Sequence, residues 1–226
     1  MRILVLAAHP DDEVLGAGGA ITRWASEGAE VHVSILGEGL TSRYDDRSGA
    51  PQAELERLKQ TAVAAGTLMG VTATRLHGLP DNRLDQIPLL EIAKIVERDI
   101  DTVRPHRVLT HHPGDLNADH VLVCRATLIA ARPFPGQPVR EVFSYEVASS
   151  SEWSFSTGGE VFRPNLFVGI AASLQPKLNA MRLYESEVRA FPHPRSPDAL
   201  RARAAYWGAV VGLEAAEPFQ VLRWVT

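Results

Sequence analysis

Residues 8–13, AHPDDE, crowd a histidine and three consecutive acids into the point where the apolar run RILVLA gives way to a helical pattern. Far downstream, HHPGDLNADH (111–120) again mixes imidazoles with carboxylates. His9 and Asp12 stand three apart at a turn entering a helix, and His120 opens the helix after the second segment. Two imidazoles and one carboxylate, with the remaining positions left to water, form the donor set of a catalytic divalent-metal site. Zn2+ suits nitrogen and oxygen donors. Fe2+ does so too, because two histidines and one carboxylate also describe the non-haem iron triad. The metal-free alternative makes Asp11 or Asp12 a helix N-cap, sets Glu13 against the helix dipole and leaves His120 on the surface. Capping accounts for one acid, but not for three together with His9.

The elements that must position these residues follow from periodicity. Residues 2–8, 30–36, 74–79 and 106–112 read as strands, and 14–28, 52–69 and 88–103 carry apolar residues at helical spacing between them. Such alternation predicts an α/β fold, a Rossmann-like, mostly parallel sheet with right-handed crossovers, flanked by helices. A helix is expected over 120–131 and a strand over 140–147, followed by a Ser/Gly-rich loop over 148–159 that carries Trp153. NLFVGI reads as a strand, 174–189 and 197–214 as helices separated by FPHPRSP, and PFQVLRWV as the closing strand. With no repeat and no linker, residues 1–226 read as a single domain. Its core is 1–135, and 136–226 supply a substrate loop and a C-terminal helical part. In such sheets ligands bind beyond the carboxyl ends of the strands, where strand order reverses. AHPDDE and HHPGDLNADH both sit at such ends and are predicted to meet.

Composition narrows the remaining classes. The chain of 226 residues has 45% apolar and 22% charged residues, ordinary for a globular protein. Its net charge of −4 provides no field for nucleic acid or an anionic membrane surface. Cys124 is the only cysteine, which excludes an intrachain disulfide and a cysteine-based metal site. The first apolar run is too short for a secretory signal, and no run reaches the roughly 20 residues of a membrane span, so a cytoplasmic protein is expected. GAGGAI and GEGLTS are glycine-rich, but acids occupy the turn after the first strand where a dinucleotide fingerprint needs bare amides. NAD binding is therefore rejected, and Gly16, Gly18 and Gly19 are assigned to close packing on the sheet. No G-x-S-x-G elbow is present, and Cys124 lies on an apolar helix face. His32 and His77 read as ordinary strand or edge residues, and His106 as an exposed residue preceding a strand.

The pair AHPDDE and DLNADH resembles the PIG-L/LmbE family of zinc-dependent deacetylases acting on N-acetylglucosamine-type substrates. LPDNRLD (79–85), SYEVASSSEW and YESEVRAFPHPRS extend the likeness over most of the chain. The resemblance implies that His9, Asp12 and His120 hold the metal and that Asp11 is the general base. One departure matters: many members carry HPDH where this chain has NADH, so Asn117 stands where a histidine helps to stabilise the oxyanion. His193, braced between Pro192 and Pro194, is the expected replacement, with His111, His112 or Arg43 as alternatives. Asp119 is expected to orient a ligand without itself coordinating. The activity implied is removal of an N-acetyl or other N-acyl group from a small sugar or glycoconjugate. An amidase acting on thiol conjugates or natural products, and a non-catalytic glycoside-binding relative, stay open, as does a homo-oligomer. Arg43, Asn82 and Arg83 fall in loops at the same sheet edge and are candidates for sugar hydroxyls or a phosphate. Trp153 is a candidate to stack on a sugar face.

Overall fold

The structure, a computed structural model, describes residues 1–155 and 160–226; the end of the loop expected over 148–159 lies outside the described residues. β1 (Arg2–Ala7) is buried on both faces, as a central parallel strand must be. Ile3, Val5 and Ala7 enter one apolar core, and Leu4, Leu6 and Ala8 enter the other. The first core packs against α1 (Asp12–Ser26), α2 (Gln52–Leu68), α5 (Leu174–Leu183) and α6 (Pro197–Val210). The second packs against α3 (Leu89–Val103) and α4 (Ala118–Ala130). The α/β sandwich expected from the sequence is therefore present, with one helical layer on each face of the sheet.

The remaining strands are β2 (Glu30–Gly37), β3 (Ala73–Leu79), β4 (Arg107–His111), β5 (Glu141–Tyr145), β6 (Leu166–Gly169) and β7 (Ala216–Trp224). The seven-stranded sheet has the order β3-β2-β1-β4-β5-β7-β6. The first five strands run parallel, and β7 pairs antiparallel with both β5 and β6. Strand order reverses between β1 and β4, which pair with Val5 opposite Leu109. This register brings the segments after Ala7 and after His111 out side by side. The second half of the chain continues the same sheet through β5, β7 and β6.

Two helices end before the sequence pattern does. α5 stops at Leu183, not 189, because Tyr184 leaves the helical region (φ −80, ψ 62) and its hydroxyl turns inward to donate to Glu13 Oε1 at 2.6 Å. α6 stops at Val210, not 214. Gly212 takes φ 73, and Leu213 N–H donates to Gly208 O at 2.8 Å, a glycine-dependent C-terminal cap.

α1 carries the acidic motif at its N-terminus and is held from three sides. Lys177 Nζ donates to Leu15 O (2.8 Å) and to Glu217 (2.6 Å). Glu217 accepts the backbone N–H groups of Gly19 (2.9 Å) and Ala20 (2.7 Å). This buried pair is satisfied by hydrogen bonds on both partners, as a desolvated charge requires. Gly16 lies against Tyr145, where an added Cβ would come within 2.1 Å of the ring, and one at Gly19 would meet Ile170 at 2.8 Å. Alanine favours a helix over glycine by about 1 kcal/mol. Overpacking typically costs about 1–3 kcal/mol, so the clash dominates. Gly16→Ala should lower the thermal unfolding midpoint; an unchanged or raised midpoint in calorimetry would show that Tyr145 can yield.

Candidate metal centre and cleft

The three consecutive acids have separate tasks. Asp11 occupies the N-cap position of α1, yet its side chain caps nothing, and its backbone sits at φ 110, ψ −26. A positive φ is costly for any residue but glycine and recurs at functional sites. Asp12 Oδ2 accepts the His9 backbone N–H at 2.8 Å. Glu13 Oε2 accepts the Asp11 N–H at 3.1 Å, tying the turn from within, while burial pushes its carboxyl up to about 7. Capping therefore explains Glu13 and leaves Asp11 and Asp12 free for the cleft.

Asp12 Oδ2 is the hub of the site. It lies 3.5 Å from His9 Nδ1, 3.3 Å from His120 Nε2 and 3.6 Å from His111 Nε2. One donor atom from each of His9, Asp12 and His120 falls within a 4.8 Å cluster. Carboxylates fix the two rings from behind. His9 Nε2 is 3.0 Å from Asp119 Oδ2 and 3.3 Å from Asp81 Oδ1, and Asp119 Oδ1 accepts Leu84 N–H at 3.0 Å. His120 Nδ1 is 3.1 Å from Asp115 Oδ1. Asp115 is itself held by the Ser150 and Ser151 hydroxyls and by Asn117 N–H at 2.9 Å. Backing of this kind sets the tautomer and orientation of a ligating histidine. It leaves His9 Nδ1 and His120 Nε2 turned toward Asp12, two nitrogens and one oxygen that fit a divalent cation.

The electrostatics agree. Burial pushes the His120 pKa down, but Asp12 and Asp115 overcome it and raise it to about 9. Burial likewise opposes the upward shift of His9, which comes from Asp119 and Asp12. Asp12 is held well below the usual carboxylate range: burial pushes it up, and His120, His9 and His111 more than offset this. Burial raises Asp11 well above its ordinary value against the opposing charge of Arg195, and the Asp12 carboxylate adds to the rise. The acids hold protons on His9 and His120, whereas burial and the neighbouring His120 push His111 well below its ordinary value.

A cleft of ≈ 320 Å³ opens above these groups. Arg43, Asn82, Trp153 and His193 all line it, as does Asn117. Arg83 does not line it: Asn82 turns through the left-handed region (φ 51), and the next residue leads into the turn Leu84–Gln86, where the Arg83 charge acts on Asp46. Asn117 caps α4, with Oδ1 accepting Asp119 N–H at 2.9 Å, and Nδ2 donates to Asn82 Oδ1 at 2.8 Å. His111 is buried beneath the site, with Nε2 accepting Ala8 N–H at 2.8 Å and its ring stacked on His120 at 4.0 Å. His112 faces the Glu160 carbonyl at 2.7 Å. Neither His111 nor His112 lines the cleft. His193 is half-buried, with its ring edge-on to Trp153 at 5.6 Å and Nδ1 accepting Arg195 N–H at 3.1 Å.

Sequence reasoning passed over Asp81, Asp115, Glu187 and Arg195. Asp81 and Asp115 follow β3 and β4 at the carboxyl edge and could have been found by the rule that singled out His9. Glu187 and Arg195 lie in irregular chain, where periodicity carries no signal. Arg195 Nη1 donates to Asp11 Oδ2 and to Glu187 Oε2, both at 3.0 Å, and Nε donates to Ser149 Oγ at 2.7 Å. Arg43 pairs with the other oxygen of Glu187.

The chain is similar to known proteins. The family model described as "PIG-L: GlcNAc-PI de-N-acetylase" matches residues 4–131. A Bacillus cereus protein named probable N-acetyl-alpha-D-glucosaminyl L-malate deacetylase 2 is 26% identical over 196 residues, 84% of each chain. The diacetylchitobiose deacetylase of Thermococcus kodakarensis is 27% identical over 220 residues, 96% of this chain and 81% of that one. The crystal structure of a conserved protein from Thermus thermophilus, TT1542, superposes with a TM-score of 0.76 at 27% identity, covering 99% of this chain and 96% of that one.

Cation binding must displace the protons that the acids hold on His9 and His120. Below pH about 9 binding therefore releases protons, and affinity rises with pH until His120 is neutral. Calorimetric titration with Zn2+ in buffers of different ionisation enthalpy should detect that release. Asp119→Asn should weaken binding by about 10–100-fold. Equal affinity at pH 6 and pH 9 would contradict this reading of the site.

Proposed function

The chain belongs to the PIG-L family, and from that premise we propose that it is a metal-dependent hydrolase that removes the N-acetyl group from an N-acetylglucosamine-type sugar or glycoconjugate. The observation that carries the reading is Asp11: a buried carboxylate in a strained backbone that caps no helix, placed beside the His9–Asp12–His120 cluster in one cleft. A site that only bound a cation or a glycoside would have no use for it.

Zn2+ is the ion proposed, and the same donors would accept Fe2+. When bound there it would act as a Lewis acid on the acetamide carbonyl and lower the pKa of water. His9, Asp12 and His120 would hold it, and Asp119 and Asp115 keep the two rings aimed. Asp11 takes a proton from water as the water oxygen bonds to the amide carbon and the carbonyl π pair moves onto its oxygen. The C–N bond then breaks, and the nitrogen receives the proton from Asp11, giving a free amine and acetic acid, which releases its remaining proton to solvent as acetate. The raised pKa of Asp11 suits both halves of this cycle, since a general base and acid works best with a pKa near the working pH.

Asn82, Arg43 and Trp153, with His193 against it, supply the wall proposed to bind the sugar. Trp153 offers a face for a pyranose ring, and the amide of Asn82 and the guanidinium of Arg43 offer donors for hydroxyls. The two relatives are named for different conjugates, N-acetyl-alpha-D-glucosaminyl L-malate and diacetylchitobiose, that share an N-acetylated glucosamine, which makes that unit the proposed recognition element. The substrate is proposed to be a small dissolved molecule met in the cytoplasm. Among the described residues no helix is long and apolar enough to cross a membrane.

Acetate release from a panel of N-acetylglucosamine glycosides, with Zn2+ added or chelated, tests the activity. Asp11→Asn should retain the metal by elemental analysis while turnover falls by about 10²–10⁴-fold, the usual weight of a positioned acid–base group. Full turnover would remove Asp11 from the chemistry, and lost metal would reassign it as a ligand.

A further inference from the structure

The cleft contains a half-buried cationic donor set that metal binding does not use. Arg195 is anchored on two sides by Asp11 and Glu187 through Nη1 and on a third by Ser149 through Nε. Its side chain is only 23% exposed. A guanidinium has five N–H donors, and this anchoring spends three. Among the described residues nothing accepts from the two on Nη2, although the residue lines the cleft. A half-buried charge with unspent donors, fixed in place by three partners, is built to receive an acceptor from a ligand.

We infer that Arg195 is a catalytic residue that donates to the oxygen of the scissile acetamide as negative charge builds on it. The inference rests on the deacetylase reading and names the group that completes it. Asp11 must touch both the attacking water and the departing nitrogen, and these are bonded to the same carbon as that oxygen. A guanidinium held at 3.0 Å from Asp11 in the same cleft is therefore a neighbour of the place where the oxyanion forms.

Competing groups are less well placed. Asn117 is neutral, with Oδ1 spent as the α4 cap and Nδ2 shared with Asn82. His193 uses Nδ1 as an acceptor and so has no proton there, and its ring rests against Trp153. His111 and His112 do not line the cleft. Arg195 keeps its proton throughout, so the bond-making balance is unchanged: the carbonyl π pair goes to oxygen, the water proton to Asp11 and then to nitrogen. The guanidinium only meets the charge. Glu187, which bridges Arg43 and Arg195, is a positioning residue for it.

The test compares wild type with Arg195→Gln, Arg195→Lys, Arg195→Ala and His193→Ala on an N-acetylglucosamine glycoside, and measures calorimetric binding of the methylphosphonamide analogue of the acetamide. That analogue carries a tetrahedral, anionic centre like the transition state. Arg195→Gln should lower kcat about 10²-fold with KM and metal content nearly unchanged, and should weaken analogue binding by a similar factor. Arg195→Lys should recover part of both, and free guanidinium should restore turnover to Arg195→Ala. Loss in His193→Ala with Arg195→Gln intact would overturn the assignment in favour of His193. Loss of turnover in Arg195→Gln without loss of analogue binding would also overturn it, leaving Arg195 to act only on Asp11. If Arg195→Gln fails to fold, Arg195→Lys and guanidinium rescue decide in the same way. A wild type that releases acetate from no glycoside fails the deacetylase reading instead, and analogue binding still reports on Arg195.

Discussion

Buried negative charge at the carboxyl ends of β1 and β4 is the constraint around which this molecule is arranged. Asp11, Asp12, Asp115 and Asp119 are all under 8% exposed and crowd one end of the sheet. Ionised carboxylates cannot be desolvated without compensation. Each here faces an imidazole, a guanidinium, a hydroxyl or a backbone N–H, and the unusual local features follow from those pairings. The left-handed turn at Asp11 points its carboxylate at Arg195 and away from the helix end. The serine run 149–151 closes on Asp115 with two hydroxyls and on Arg195 with one. What the protein groups leave over is a net negative pocket beneath an open cleft, which a divalent cation would neutralise.

Such a pocket works only if its walls do not move. α1 must present Asp11 and Asp12 at a fixed height above β1, and the fold fixes it with contacts deep in the core. Gly16 lets the helix sit on the Tyr145 ring, whose hydroxyl donates to Leu6 O on β1 at 2.7 Å. The same ring packs against His111, and His111 stacks on His120. A continuous column of packed rings thus runs from the sheet to His120. Tyr184 links the other side, from the end of α5 to Glu13 within the acidic turn. Both aromatic residues are at most 1% exposed, so the precision of the site derives from core packing.

The division between what could and could not be read from the sequence follows from the same arrangement. Strand–helix alternation exposed the parallel sheet, and the strand-end rule then joined His9 and Asp12 to His120 across more than a hundred residues. Those inferences depend only on period and topology. Arg195 lies 184 residues from Asp11 in irregular chain, and its position depends on side-chain partners, not on any repeat. His193, between two prolines, was the more conspicuous residue of that loop. Backbone restriction fixes where a loop runs but not which of its side chains turns inward. The early end of α5 has a similar cause: the helical apolar pattern continues through Tyr184 and Val188, but one hydroxyl bond to Glu13 draws the chain away.

The chemistry is thereby split between two kinds of structure. The proposed metal ligands and proton-transfer carboxylate sit at the ends of β1 and β4, on elements set by the first half of the chain. The cation that answers the developing charge comes from the segment between α5 and α6, as do Glu187 and His193. Asn117 makes this split necessary, because a neutral cap at the start of α4 removes the charged partner that HPDH would put next to the last ligand. Moving that partner into a loop changes its chemistry as well as its address. An imidazolium can lose its proton near neutral pH, whereas a guanidinium stays charged and presents a planar fork of donors. The loop that supplies the charge also borders the proposed sugar wall through the contact of His193 with Trp153, so its conformation would couple recognition of the glycoside to stabilisation of the transition state.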